Sequence, residues 1–125
     1  MKYISLLIVL FLSSCSLLLE VNIYNDSGKT ITIETGQSNI TVNDKEIGKF
    51  HFGSDIVLIV DDKQFKYESG WDDLSEFFYG AISKNKVKAQ IDKNLIIYLV
   101  KPKHTLPVSI FTEQPDGFPK QPSAI

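Results

Sequence analysis

Residues 56–67 read Ile56-Val57-Leu58-Ile59-Val60-Asp61-Asp62-Lys63-Gln64-Phe65-Lys66-Tyr67, and this stretch decides the fold class. The first five residues form an unbroken apolar run, short enough for one strand. Such a run is expected at the centre of a sheet, covered on both faces. Asp61-Asp62-Lys63 supplies turn chemistry, because aspartate side chains satisfy the backbone of a tight reversal. Beyond the turn, Phe65 and Tyr67 alternate with Lys66, the period of two expected of a half-buried strand.

The same alternation extends in both directions. Val21 and Ile23, then Ile31 and Ile33, flank Asn25-Asp26-Ser27-Gly28, which predicts a β-hairpin. Asn39 to Val42 reads as a short strand ending at Asn43-Asp44. Phe50 and Phe52 flank His51 in another, closed by Gly53. On the C-terminal side, Val87, Ala89 and Ile91 form a strand, Asp92-Lys93-Asn94 a turn, and Leu95 to Val100 a second buried strand. Val108 to Phe111 is expected to add a last edge strand. One segment departs from this period: Leu74, Phe77, Phe78, Ala81 and Ile82 fall on a helical stripe, with Asp73 and Glu76 placed as a capping pair. Gly80 weakens that pattern. The expectation is an all-β, antiparallel β-sandwich or small barrel of about seven strands, with one short helix or helical turn.

With 125 residues, 43% hydrophobic and 22% charged, the chain is one globular domain and not a disordered segment. Net charge is −2, and all 13 basic residues are lysines. Arginine is the preferred side chain for bidentate phosphate and guanine contacts, so its absence argues against a nucleic-acid partner.

The N-terminus sets the expected address. Met1-Lys2 is a short positive start, and residues 4–12 (ISLLIVLFL) are a largely apolar run far shorter than the ~20 residues a bilayer span needs. Leu12-Ser13-Ser14-Cys15 follows. This resembles the lipobox of bacterial lipoproteins: an aliphatic residue, two small residues, then the cysteine that becomes the mature N-terminus. The resemblance implies cleavage between Ser14 and Cys15, a diacylglyceryl thioether on Cys15 and a further acyl chain on its amine. Two chains already give stable anchoring. Ser16, where an aspartate holds enteric-type lipoproteins at the inner membrane, implies the periplasmic face of the outer membrane. Cys15 is the chain's one cysteine, so the mature domain would have no disulfide and no thiol nucleophile. The expected organisation is a removed signal peptide over 1–14, a lipidated N-terminus and short tether over 15–20, a sandwich over 21–112, and an extended proline-rich tail over 113–125 whose last residues are loose.

Few residues carry the pattern of chemistry. His51 lies between two phenylalanines and is expected to point outward; His104 lies among lysines and a proline in a loop. The nucleophile-elbow, zinc-protease and phosphate-loop motifs do not occur in the chain. Asp61-Asp62 and Asp72-Asp73 lack calcium-loop spacing, and two histidines without a free cysteine make a poor zinc set. No catalytic residue, metal or cofactor is therefore expected. Phe65, Tyr67, Trp71, Phe77, Phe78 and Tyr79 are dense enough for a binding platform, although Phe65, Phe77 and Phe78 are expected in the core. Trp71 and Tyr79 are the candidates for an exposed contact. The expected function is a membrane-anchored, non-catalytic module that binds an envelope protein; the alternatives are a lipid, glycan or small-molecule binder and, last, an enzyme.

Overall fold

The computed structural model describes residues 19–52, 55–71, 73–80 and 85–125. It is a β-sandwich. A four-stranded sheet has the order β4-β1-β7-β8, and a five-stranded sheet the order β3-β2-β5-β6-β9. The strands are β1 (Leu19–Asn25), β2 (Ile31–Glu34), β3 (Asn39–Val42), β4 (Ile47–Phe52), β5 (Ile56–Val60), β6 (Lys63–Tyr67), β7 (Lys86–Ile91), β8 (Ile97–Val100) and β9 (Ser123–Ala124). Pairing is antiparallel except between β1 and β7, which run parallel with Glu20 opposite Lys86.

The two sheets bury the alternate residues that the sequence pattern marked. Ile23, Ile31, Ile33, Leu58, Val87, Ala89 and Ile91 are fully buried, and Phe50, Phe52 and Tyr67 fill the space between them. Cutting one such leucine or isoleucine to alanine costs about 2–5 kcal/mol, because the neighbours only partly close the cavity. The β5–β6 hairpin forms as read, with Asp61 and Asp62 both in the left-handed region (φ 51° and 63°). β5 lies at the middle of its sheet, but only one face is buried; Val57 and Ile59 are half-exposed on the other.

Three further expectations are corrected. The strands flanking Asn25–Gly28 do not pair; β1 and β2 lie in opposite sheets. Asn25 occupies an inward position and is fully buried. Its amide donates to the carbonyls of Lys29 (2.7 Å) and Val42 (3.0 Å), and its oxygen accepts from the Ser27 backbone and hydroxyl. A buried amide must be satisfied, and these partners become available where the chain crosses from one sheet to the other. Of the two forms expected for the helical stripe, the described residues take the turn: Phe77 N–H donates to the Leu74 carbonyl (2.8 Å) and Asp73 accepts from Ser75 N–H (2.9 Å). Tyr79 then leaves in an extended path to bridge Lys86, and Gly80 takes a φ of 139°. Ala81 and Ile82 lie outside the described residues, as does Gly53.

Val108–Phe111 forms no strand. It crosses the outer face of the four-stranded sheet, where the Gln90 amide substitutes for a strand neighbour: Nε2 donates to the Val108 carbonyl and Oε1 accepts from its N–H, both at 2.9 Å. Phe111 stacks on Tyr98 with centroids 4.0 Å apart. Finally, the last residues of the C-terminal tail are not loose. Phe118 packs on the core, Lys120 bridges Ile97, and Ser123–Ala124 pairs with β6, so the sandwich runs from Leu19 to Ala124.

Candidate functional site

β1 is flanked on both sides, so its outward residues Glu20, Asn22 and Tyr24 lie on the outer face of the four-stranded sheet between β4 and β7. Glu20 lies directly opposite His51 on β4 and Lys86 on β7. Its carboxylate faces Lys86 Nζ at 3.6 Å, Lys49 Nζ at 3.8 Å and His51 Nε2 at 3.9 Å. His51 therefore points outward, as its position between Phe50 and Phe52 predicts, and it does meet a carboxylate. The separation exceeds hydrogen-bond reach, and the pair lies on the face of a sheet. His104 is half-buried in the 101–113 loop, where its carbonyl accepts from Lys88 Nζ at 2.9 Å.

Trp71 and Tyr79 have different surroundings. The Trp71 indole is half-buried and packs on Phe52, with ring centroids 5.1 Å apart. Phe52 is in turn the strand partner of Leu19, the first described residue. Gly117 lies so close that a Cβ there would stand 2.8 Å from Trp71 Cα and 2.7 Å from the Gly70 carbonyl. Tyr79 is tied into the sheet face: Asn22 Nδ2 donates to its hydroxyl at 2.5 Å, and Lys88 Nζ lies 5.6 Å from its ring centre. Phe77 is buried, and Phe65 and Phe78 are half-buried against the core.

The tail builds a feature that sequence reading missed. Lys120 is only 4% exposed. Its ammonium donates to the Glu68 carbonyl (2.6 Å) and the Gly70 carbonyl (3.0 Å) and lies 4.7 Å from the Phe118 ring centre and 5.9 Å from that of Phe52. Burial pushes its pKa below the usual lysine value, with Glu68 partly opposing that shift. Beside it opens a cleft of about 500 Å³ lined by the 68–70 loop and residues Gly117, Phe118, Pro119, Lys120, Gln121 and Ser123. A lysine between two prolines in an aperiodic tail carries no burial signal, so only the fold could reveal this one.

The same tail covers sheet edges. On β8, Gln114 brackets Leu99, accepting from its N–H (2.8 Å) and donating to its carbonyl (2.9 Å), while Lys120 exchanges backbone bonds with Ile97. On β6, β9 pairs at Phe65 and Lys66, and Ile125 N–H reaches the Gln64 carbonyl at 3.1 Å. On the opposite side β3 and β4 end their sheets. There the cover is lighter: Thr35 and Ser38 side chains bond the backbone of His51, and the Ile40 and Val42 side chains lie over Gly48. Ile47 at the start of β4 is 56% exposed.

Among the described residues no group of three or more histidine, cysteine, aspartate or glutamate side chains is placed to hold a metal ion, and no helix is long and apolar enough to cross a membrane. Ser14 and Cys15 lie outside the described residues. No family model, curated protein or solved structure matches the chain.

Proposed function

We propose that this chain is a lipoprotein anchored through Cys15 in the bacterial cell envelope, on the periplasmic face of the outer membrane, and that its β-sandwich is a non-catalytic module that binds an envelope protein. The observation that carries the reading is the unequal treatment of sheet edges. An unpaired edge strand is a template for another chain, and proteins cover edges that are not used. Here the C-terminal tail covers β6 and β8 with backbone and glutamine-amide bonds, whereas β3 and β4 are covered by side chains only, Thr35 and Ser38 on His51 and Ile40 and Val42 over Gly48, with Ile47 exposed beside them. A partner strand adding to β3 or β4 gains main-chain bonds there and an apolar contact at Ile47.

The cleft beside Lys120 supports a second reading, a small-molecule site. It ranks lower because the ammonium already donates to two carbonyls of its own chain.

The test is photo-cross-linking in native cells, with the photoreactive side chain placed at Thr41, at Ile47 and, as control, at Ile110. One dominant adduct from Thr41 or Ile47, absent from Ile110 and lost in a Cys15→Ser form, supports the proposal. An uncross-linked monomer at all three positions refutes it.

A further inference from the structure

Strand polarity assigns an end to every turn of the sandwich. β1 starts at Leu19, next to Phe52, the last residue of β4, and Lys86, the first of β7, pairs with Glu20. Trp71 packs on Phe52 at this same end. The turns carrying Asp26, Asp44, Asp61, Asp62 and Asp92 follow the other ends of the strands, about 20 Å away by the rise of a seven-residue strand. Four peptide units separate Cys15 from Leu19, and even fully extended they reach only about 14 Å.

Resting on the anchor reading above, we propose that the Leu19 end docks on the bilayer that holds the Cys15 lipid, with the Trp71 indole in the headgroup layer and the turns carrying Asp26, Asp44, Asp61, Asp62 and Asp92 facing away. A lipid-bearing cysteine sits at the boundary between headgroups and acyl chains. From there the tether is too short to let the domain stand clear of the surface. The residue nearest this end with the right chemistry is the chain's single tryptophan, whose amphipathic ring prefers the interface. Its indole is half-buried against Phe52 and so leaves part of the ring for lipid. At the same end the Glu20 carboxylate is matched by Lys49, His51 and Lys86 and that of Asp55 by Lys66 at 3.1 Å, while Glu68 and Asp73 stand exposed near Trp71, so the docking rests on the short tether and the indole and not on charge. The β3 and β4 edges then stand roughly along the membrane normal, reachable by a partner from the side.

Because Trp71 is the only tryptophan, its fluorescence reports the docking directly. Full-length lipidated protein is reconstituted in phosphatidylethanolamine–phosphatidylglycerol vesicles carrying a nitroxide on the lipid headgroup, and its intact mass is measured in parallel. The proposal expects Trp71 quenching at least about twofold stronger than in a Trp71→Phe, Lys93→Trp protein, whose indole lies at the far end. A chain whose mass shows the lipid, yet whose Trp71 is quenched no more than the tryptophan at 93, overturns the docking and leaves the anchor standing. A chain with no added lipid mass overturns the anchor and the docking together.

Discussion

Replacing Lys120 by methionine keeps most of the side chain's apolar length and removes its ammonium. Two charge-assisted hydrogen bonds are lost, to Glu68 and Gly70. At the lower end of about 1.5–3 kcal/mol each they amount to about 3 kcal/mol, and relief from burying a charge returns about 1 kcal/mol. The freed carbonyls belong to exposed residues, so water replaces part of what is lost. The expected net cost is about 2 kcal/mol, or a fall of about 8 °C in melting temperature for a domain of this size. Urea unfolding followed by tyrosine and tryptophan fluorescence measures it. Hydrogen exchange at Ser123–Ile125 should rise in parallel, since Lys120 pins the tail that supplies β9. The pH dependence gives a further signature. Folding depresses the lysine's pKa, so between that value and the ordinary 10.5 the unfolded chain binds more protons and stability rises with pH. The methionine variant should lack this rise. A variant as stable as the parent, with unchanged exchange in the tail, would refute the reasoning and show that burying the ammonium costs as much as its bonds return.

Three further outcomes follow from the same contacts. Gly117→Ala places a methyl group 2.7 Å from the Gly70 carbonyl at a φ of 91°; backbone cannot yield as a side chain can, so a loss of about 2–3 kcal/mol is expected in urea unfolding, with protease cleavage in the tail. Asp62→Gly relieves a left-handed aspartate (φ 63°) in the β5–β6 turn and should raise stability by up to about 1 kcal/mol in thermal unfolding; a decrease would show that the Asp62 side chain holds the turn. Tyr67 is fully buried, donates to the Leu95 carbonyl at 2.6 Å and has its pKa raised by burial and, secondarily, by Asp92. Above about pH 10 the unfolded chain loses this proton while the folded one keeps it, so stability falls as pH rises further, by about 1.4 kcal/mol per unit. Tyr67→Phe should be about 1 kcal/mol less stable at neutral pH and should lack that part of the alkaline decline.

Local chemistry was legible where the answer lay within a few residues. The β5–β6 hairpin follows from IVLIV, two aspartates and an alternating Phe65–Tyr67, because turn and register are neighbours in sequence. His51 was placed outward by Phe50 and Phe52 for the same reason. Asn25–Gly28 was misread because a hairpin and a crossing between sheets share one local pattern, alternation broken by turn residues. They differ only in which strands lie alongside, and the bonds from Asn25 to Lys29 and Val42 record that choice. The helical stripe at Leu74 and Phe77 was real as a buried pair, but pairing of Tyr79 with Lys86 drew the chain out after one turn.

The sequence by itself determined the β class, the positions of most strands and which residues face the core, and its Leu12–Cys15 stretch motivates the proposed anchor, since each is a matter of residue chemistry at short range. Tertiary structure alone decided that β1 and β7 run parallel, that the tail covers β6 and β8, that Lys120 is buried, and that Trp71 shares an end with Leu19. Those outcomes depend on segments tens of residues apart competing for the same edges and cavities. The winner is set by total burial and hydrogen-bond satisfaction, to which no local pattern is sensitive.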